Sequence, residues 1–349
     1  TAADFLARLG GDEFAVVLRG LKQDDDAVAI GLRELGALVA PFHLGEIAVH
    51  VGCSIGIALL GTHSSSAEEL LRLADLAMHK SKQQGKNRIT VYSSDLGVKA
   101  LTRARVTDKI REALRHNQLR LFYQPVIELN SLRVVGAEAL LRLQCPEDGL
   151  MQPTDFITVA EETGLMGPVG DWVVGEAISS LQHERAFAAD TKRYLAINLS
   201  PRQLDSAFTA DLVKRLKNAP AFAKALVFEV TETALLDNEE RFSQFFADIR
   251  ETGARIALDD FGTGYSSLGH ISRYPVDFIK LDRSFSRLLS RGSEAEAQRA
   301  RALIKATATL SAELGIAIIA EGIEDIATLD QLRSYGIGFG QGYLFSSAL

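Results

Sequence analysis

Polar residues follow several short apolar runs in the C-terminal two thirds of the sequence, at the point where each run ends. They are Glu138, Asn198, Glu229, Asp259, Asp260, Lys280 and Glu321, and Gln341 lies on the last such run. A single acid in such a place is best explained as a solvated charge or a helix cap, but repetition at successive runs favours one shared site. Neighbouring carboxylates resist ionising together unless cations neutralise them, and oxygen-only ligand sets suit Mg²⁺ or Mn²⁺. The pattern therefore indicates a divalent metal site.

The apolar runs predict eight β-strands separated by helical stretches, at residues 119–129, 134–143, 195–200, 226–232, 255–261, 277–283, 316–321 and 338–345. Strands that alternate with helices over about 230 residues predict a (β/α) barrel, whose reactive groups lie where the strands end. The first two strands are joined by a short turn around Asn130 and Ser131. They must be antiparallel, because a parallel crossover needs a dozen or more residues. The predicted fold class is α/β, a TIM-like (β/α)8 barrel with one antiparallel strand.

The N-terminal residues predict a smaller α+β domain in front of the barrel. Gly10 and Gly11 separate two apolar runs, which is a strong signal for a β-hairpin. Apolar residues then recur at helical spacing from Ala27 to Val39 and again around residues 70–78, and residues 47–60 predict one strand.

The boundary between the two domains is placed where the pattern weakens. Residues 93–104 lack a clear period, and an amphipathic helix begins at Val106. We therefore expect the small domain over residues 1–92, a linker or helix over residues 93–117 and the barrel over residues 118–349.

The composition is that of an ordinary globular protein. Of the 349 residues, 47% are hydrophobic and 24% are charged, which excludes disordered, collagen-like and coiled-coil classes. The net charge of −7 argues against a nucleic-acid surface. Cys53 and Cys145 belong to no paired motif, and no apolar run approaches the roughly 20 residues of a membrane span. We expect a cytoplasmic protein that binds no DNA; a membrane tether outside this sequence stays open.

The polar residues at the strand ends belong to motifs that resemble those of the EAL-domain phosphodiesterases, which hydrolyse cyclic di-GMP. The resemblance covers residues 105–349, and its motifs are Glu138-Ala139-Leu140-Leu141-Arg142, Asn198-Leu199-Ser200, Glu229-Val230-Thr231-Glu232, Asp259-Asp260-Phe261-Gly262-Thr263-Gly264-Tyr265-Ser266-Ser267-Leu268, Lys280-Leu281-Asp282, Glu321-Gly322-Ile323-Glu324 and Gln341-Gly342-Tyr343. An ordered set of this kind is far more specific than one three-residue match. The resemblance implies a metal-dependent phosphodiesterase whose product is the linear dinucleotide pGpG.

The resemblance also implies a role for each matched residue. Glu138, Asn198, Glu229 and Asp259 would hold one Mg²⁺ or Mn²⁺ ion, with Asp259 bridging to a second ion held largely by Asp260. Glu321 would be the general base, and Lys280 would steady the nucleophile or the second metal. The implied substrate-binding residues are Gln124, Arg142, Glu324 and Gln341. Glu232 would anchor the loop Phe261–Leu268 that follows the paired aspartates.

The segment Gly10-Gly11-Asp12-Glu13-Phe14 resembles the signature of GGDEF domains, whose active members make cyclic di-GMP from GTP. The segments Ser54–Ala58 and Lys82–Arg88 resemble later motifs of the same family. The resemblance implies a metal at Asp12 and phosphate contacts at Lys82 and Lys86. Members carry roughly half of the domain upstream of the signature, whereas nine residues precede Gly10 here. We therefore expect GTP binding in an intact domain and no cyclase activity from this chain.

Three hypotheses of different class follow. The chain is a cyclic di-GMP phosphodiesterase, a catalytically silent receptor for the dinucleotide, or chiefly a dimerising scaffold, with a homodimer expected through the barrel domain. Non-catalytic relatives typically lack members of the acidic set, and every matched position is filled here. The sequence therefore favours the enzyme. A Gly-x-Ser-x-Gly match at Gly52–Gly56 is set aside, because an esterase needs a helix to begin where this apolar run continues to Leu60.

Overall fold

The computed structural model describes residues 4–21, 23–45, 47–183, 193–204, 206–237, 239–262 and 274–349. The chain divides into two compact units, Thr1–Arg105 and Val106–Leu349. Each unit is described by itself.

The first unit is built from short strands and two helices. Its elements are β1 (Phe5–Gly10), β2 (Glu13–Val17), α1 (Asp24–Ala37), β3 (Phe42–Leu44), β4 (Ile47–Val49), β5 (Ile55–Ile57), α2 (Ala67–Gln83) and β6 (Ile89–Val91). The strands pair as an antiparallel hairpin β1–β2, a second hairpin β3–β4 and a parallel pair β5–β6. Gly11 turns the first hairpin with φ of 51°, a conformation that glycine adopts without steric cost.

The prediction of one strand over residues 47–60 is wrong. The run contains two strands with different partners, because β4 pairs with β3 whereas β5 pairs with β6. Helix α2 packs so closely on β5 that a Cβ at Gly56 would lie 1.9 Å from the carbonyl oxygen of Ala74. An apolar run indicates that its residues are buried, but it does not indicate which strand each part of the run will pair with.

The next helix, α3, spans Ser94–Arg115, so the stretch without a clear period is helical. Its buried residues are Val106, Thr107, Ile110 and Ala113, whereas Val98 and Leu101 near its start are exposed. The helical period is visible only where one face of the helix is packed. This explains why the sequence places the start of the helix too late.

The second unit is a closed barrel. Its strands are β7 (Leu119–Glu128), β8 (Arg133–Cys145), β9 (Gly149–Met151), β10 (Tyr194–Asn198), β11 (Leu226–Thr231), β12 (Arg255–Phe261), β13 (Phe278–Leu281), β14 (Ala317–Ala320) and β15 (Phe339–Gly340). Pairing runs from β10 to β15 in order, then to β7 and β8, and β8 pairs with β10 to close the ring. Strand β7 is antiparallel to both of its neighbours, and β9 is added to β8 outside the ring. The predicted fold class is confirmed.

Helices follow the strands and cover them. They are α4 (Pro153–Glu162), α5 (Met166–His183), α6 (Ser206–Asn218), α7 (Pro220–Ala223), α8 (Glu232–Asp237), α9 (Glu239–Glu251), α10 (Arg283–Arg291), α11 (Glu294–Leu314) and α12 (Ile326–Ser334). Local sequence determines several ends. Asp282 and Asp325 accept backbone N–H bonds at the starts of α10 and α12, and Ser293 with Glu296 forms a capping box at α11. No helix in the described part of the chain has the length and apolarity of a membrane span.

The barrel interior has an apolar layer formed by Val126, Tyr194, Ala196, Val227, Ala257, Phe278 and Ile319. On four strands a polar residue stands two positions after an interior residue: Glu229 after Val227, Asp259 after Ala257, Lys280 after Phe278 and Glu321 after Ile319. Side chains alternate in direction along a strand, so residues two apart share a face. The alternation therefore places the polar side chains above the apolar layer, at the C-terminal mouth of the barrel.

Candidate functional site

Lys280 is the centre of the polar group at the barrel mouth. Its side chain is 1% exposed, and its Nζ lies 2.7 Å from Glu229 Oε2, 2.8 Å from Glu321 Oε1, 3.1 Å from Glu138 Oε2 and 3.3 Å from Asp259 Oδ1. These four acids come from β8, β11, β12 and the end of β14. One ammonium, on β13, therefore contacts acidic side chains from four other strands of the barrel.

Two amides fix the orientation of Glu138. Asn198 Nδ2 donates to Glu138 Oε1 at 2.7 Å, and Gln341 Nε2 donates to Glu138 Oε2 at 2.7 Å. The amide oxygen of Gln341 is buried and accepts no hydrogen bond from the described residues. The carboxylate of Glu138 is therefore held on both oxygens, while a further oxygen acceptor lies beside it.

The pKa values show how burial and charge compete in this group. Burial acts to raise the pKa of Glu138, but Lys280 and the amides of Gln341 and Asn198 outweigh burial and hold that pKa below its usual value. Burial and the charge of Glu138 raise the pKa of Glu229 well above its usual value. Burial raises the pKa of Glu321 to about 7, against the opposing effect of Lys280. Burial acts to lower the pKa of Lys280, but the surrounding carboxylates raise it, so the ammonium stays charged.

Asp259 and Asp260 lie at an irregularity in the sheet. The register between β12 and β13 shifts between Leu258 and Phe261, and Asp260 has φ of 54°. This is the left-handed region, which costs a non-glycine residue free energy but which aspartate tolerates better than most. The Asp260 N–H donates to Asp259 Oδ1 at 2.8 Å. Burial and the charge of Asp259 raise the pKa of Asp260, so the two adjacent acids are electrostatically coupled.

Glu232 is buried at the first position of α8 and contacts the chain just after the paired aspartates. Its Oε2 accepts the Gly262 N–H at 3.3 Å. The rest of the loop that Glu232 is predicted to anchor, from Thr263 to Leu268, lies outside the described residues. The role of Glu232 in that loop stays a prediction.

A cleft of about 550 Å³ opens beside Glu321 at the mouth. It is lined by Gln124, Asp282, Arg283, Ser284, Arg287, Ser290, Arg291, Glu321, Gly322, Glu324, Gln341, Gly342 and Tyr343. The cleft therefore brings together three of the residues predicted to bind substrate, Gln124, Glu324 and Gln341. Arg142 is placed differently: its guanidinium lies 5.7 Å from the ring centre of Phe122 and donates to the Leu141 carbonyl.

The arginines of the cleft were missed by the sequence reasoning. Arg283, Arg287 and Arg291 stand four residues apart along α10, a spacing that puts them on one helix face. These arginines follow the Lys280-Leu281-Asp282 motif directly. Their spacing of four residues was the sequence signal for a cationic helix face next to the site.

The residues of the N-terminal signature form the tight turn of the first hairpin. Gly10, Gly11, Asp12 and Glu13 are exposed there, and the Arg8 guanidinium donates to the Gly11 carbonyl at 2.6 Å. Lys82 is in the last turn of α2, and the exposed Lys86 follows that helix. Within the part of the chain that the structure describes, no hydrogen bond or ion pair joins the turn to Lys82 or Lys86. The roles of these residues in a nucleotide site stay predictions.

The donor chemistry of the barrel mouth suits a hard divalent cation. Four carboxylates face one ammonium, so full ionisation leaves a charge of 1 − 4 = −3 on this group. Burial is the main cause of the raised pKa values of Glu229 and Glu321, and the charge of neighbouring carboxylates adds to it. However, no three acidic, histidine or cysteine side chains among the described residues are arranged as a metal-ligand cluster. The predicted ligands are assembled around the Lys280 ammonium, and the ligand set fits Mg²⁺ or Mn²⁺ by its oxygen chemistry.

Comparison with known proteins identifies the barrel. Residues 107–348 match the family model of the EAL domain. The chain belongs to the EAL family. Residues 1–88 match the model described as diguanylate cyclase, GGDEF domain, so both resemblances seen in the sequence are confirmed.

Curated relatives with both units are similar over nearly the whole chain. The cyclic di-GMP phosphodiesterase PdeR of Escherichia coli is 34% identical over 345 residues, which are 99% of this chain and 51% of PdeR. The cyclic di-GMP phosphodiesterase NbdA of Pseudomonas aeruginosa is 35% identical over 348 residues, which are 99% of this chain and 44% of NbdA. The chain thus spans about half the length of these relatives.

Solved EAL structures are similar to the barrel. The PaMucR phosphodiesterase in complex with c-di-GMP has a TM-score of 0.64 and 32% identity, covering 70% of this chain and 97% of that structure. The FimX EAL domain from Pseudomonas aeruginosa bound to c-di-GMP has a TM-score of 0.60 and 25% identity, covering 68% of this chain and 94% of that structure. The fold of the barrel is therefore shared with two proteins whose structures contain this dinucleotide.

Proposed function

We propose that the EAL barrel hydrolyses one phosphodiester bond of cyclic di-GMP and releases the linear dinucleotide pGpG. The observation that carries the proposal is the set of four carboxylates that Lys280 holds together at the barrel mouth. A catalytically silent receptor has no need to keep four carboxylates, three of them buried, around one ammonium, because buried charges are costly. The two EAL relatives described above are named as cyclic di-GMP phosphodiesterases, which supports the same substrate.

The proposal includes two Mg²⁺ or Mn²⁺ ions. Glu138, Asn198, Glu229 and Asp259 would hold one ion, and Asp259 with Asp260 would hold the second. When bound, such ions neutralise phosphate oxygens and lower the pKa of an attacking water. The negative charge of the group and its oxygen donors support this assignment.

The protein residues would position the reactants and move the proton. Glu321, with a pKa of about 7, is suited to accept a proton from the attacking water near neutral pH. Lys280 donates to Glu321 and to the neighbouring acids, which keeps these side chains in one arrangement. Gln124, Glu324 and Gln341 line the cleft beside Glu321, where they would contact the dinucleotide. Arg142 would pair with a phosphate or a guanine from β8.

Incubation of the chain with cyclic di-GMP and Mg²⁺ or Mn²⁺, followed by chromatographic separation of nucleotides, tests the proposal. We expect pGpG to accumulate in proportion to enzyme and to be absent when excess chelator is added. Binding of cyclic di-GMP by calorimetry without any linear product would show that the chain is a receptor and would refute the enzymatic proposal.

Calcium is expected to inhibit the hydrolysis. Ca²⁺ prefers six to eight ligands at 2.3–2.6 Å, whereas Mg²⁺ takes an octahedral set at about 2.0–2.1 Å. A site fitted to the smaller ion should therefore bind Ca²⁺ in a geometry that does not support turnover. The measurement is the initial rate of hydrolysis at a fixed Mg²⁺ concentration as the Ca²⁺ concentration rises. If the rate with Ca²⁺ as the sole divalent cation equals the rate with Mg²⁺ as the sole divalent cation, the expectation is contradicted.

Replacement of Glu232 by alanine is expected to lower turnover and to raise the metal concentration that gives half-maximal rate. The reason is that the Gly262 N–H loses its acceptor close to Asp259 and Asp260. The free energy of unfolding should fall by only about 1 kcal/mol, the usual value of one hydrogen bond. A metal titration of activity beside a thermal melt measures both effects.

Two variants control the Glu232 experiment. Glu232→Gln keeps an acceptor oxygen and should recover most of the activity, whereas Glu313→Ala removes an exposed acid from α11 and should change nothing. If Glu232→Ala keeps the turnover and metal affinity of the wild type, Glu232 acts only as a favourable charge at the start of α8.

A further inference from the structure

Helix α10 presents two different faces. Phe285, Ser286 and Leu289 are buried, whereas Arg283, Arg287 and Arg291 line the cleft beside Glu321. The cleft also contains Ser284 and Ser290 from the same helix. The cationic side of α10 thus faces the space where we place the dinucleotide.

The acids of the cleft are already engaged. Asp282 accepts the Ser284 N–H at 2.9 Å and caps α10. Glu321 lies 2.8 Å from Lys280 Nζ. Glu324 lies 2.6 Å from a guanidinium nitrogen of Arg291. Among the described residues, none of these acids forms an ion pair with Arg283 or Arg287.

The guanidinium groups of Arg283 and Arg287 have no hydrogen-bond or ion-pair partner among the residues that the structure describes. Two guanidiniums without an ion-pair partner offer hydrogen-bond donors and positive charge to an anion on this side of the cleft. Guanidinium donors match the oxygens of a phosphate in geometry as well as in charge. The ligand class that suits this part of the cleft is therefore a phosphodiester.

We propose that Arg283 and Arg287 bind the intact phosphodiester of cyclic di-GMP while the other phosphodiester is hydrolysed at the carboxylate group. The inference rests on the proposed function and adds a determinant of substrate choice to it. The cyclic dinucleotide has two phosphodiesters, and one of them is hydrolysed at the carboxylate group of the barrel mouth. The second one extends into the cleft, where these two arginines make the enzyme selective for a substrate with two phosphates.

Arg287 is the sharper of the two positions for a test. Arg283 packs closely on Gly322, since a Cβ at Gly322 would lie 2.7 Å from Arg283 Cβ. A substitution at Arg283 can therefore disturb the structure of the barrel mouth. Arg287 is exposed one turn further along α10. Loss of its charge should remove a contact to substrate and leave the fold unchanged.

The experiment compares two substrates of the metal-loaded enzyme: cyclic di-GMP and bis(p-nitrophenyl) phosphate, which has a single phosphodiester. For Arg287→Gln we expect kcat/KM for cyclic di-GMP to fall about tenfold to a hundredfold, mostly through KM, as for loss of one charge-assisted hydrogen bond. The rate with bis(p-nitrophenyl) phosphate should stay within about twofold of the wild type, because this substrate has no second phosphodiester for Arg287 to bind. The double variant Arg283→Gln/Arg287→Gln should lose more, and Arg287→Lys should recover part of the loss.

Two further measurements make the outcome decisive. The dissociation constant of cyclic di-GMP in Ca²⁺, measured by calorimetry, should rise in Arg287→Gln by the same factor as KM. The control Arg299→Gln, at an exposed position of α11, should match the wild type in every assay. Equal KM values in Arg287→Gln and wild type, or equal losses with both substrates, would overturn the inference while the proposed function stands. A wild type that neither binds nor cleaves cyclic di-GMP would overturn the proposed function and this inference together.

Discussion

Lys280→Met is expected to abolish phosphodiesterase activity and to lower the free energy of unfolding by about 3–5 kcal/mol, the range for removal of one partner from a buried ion pair. Methionine keeps the length of the side chain, so the volume change is small. What is lost is the cation that lies within 3.3 Å of four carboxylates at a position that is 1% exposed. These acids would repel one another, and the hydrogen-bonded arrangement of the site would not persist.

Chemical denaturation and steady-state rates measure the two effects. Protonation of the acids removes the uncompensated charge, so the stability deficit of Lys280→Met should shrink as the pH falls from 8 toward 5. The matched control is Lys217→Met, which removes an exposed lysine 3.7 Å from Glu251. This surface pair is expected to change stability by less than about 1 kcal/mol. A Lys280→Met protein with wild-type stability at pH 8 would show that the carboxylates do not depend on the ammonium.

Glu138→Ala is expected to reduce turnover by several orders of magnitude while the fold is retained. Glu138 is the acid that Asn198, Gln341 and Lys280 all contact, so its removal takes away a proposed metal ligand and the acceptor that orients both amides. The stability change should be modest. Unsatisfied amides cost about 1–3 kcal/mol, but removal of one negative charge relieves the neighbouring Glu229.

The rate of pGpG formation tests the expected loss of turnover, and a thermal melt tests the expected change in stability. Glu147→Ala removes an exposed acid near the end of the same strand and should leave both measurements unchanged. Wild-type turnover in excess chelator, or an active Glu138→Ala enzyme, would contradict the proposed role of metal ions at this group.

The barrel class and the residues at its mouth follow from the amino-acid sequence alone. Strand alternation requires residues two apart to share a face, so Val227 with Glu229 and Ala257 with Asp259 already indicate an apolar interior below polar ends. The short turn at Asn130 and Ser131 required β7 to be antiparallel to β8, as observed. These are local consequences of chain geometry, and they need no knowledge of the partners that each strand meets.

Tertiary structure decided which side chains meet. Lys280 contacts Glu138, which is 142 residues away in sequence, only because the ring closes between β8 and β10 and brings distant strands to one mouth. The shift in register at Asp260 depends on the pairing between β12 and β13 and leaves no mark in the sequence pattern.

The same limit explains what the sequence reasoning missed or placed wrongly. The first turns of α3 have no packed face and therefore no apolar period in the sequence. The apolar run over residues 47–60 does not indicate that its two halves pair with different strands. The arginines of α10 were present in the sequence as a spacing of four. Their role depends on a cleft lined by α10, β7 and the segments that follow β14 and β15, because a charged side chain acts only on the groups that the fold places around it.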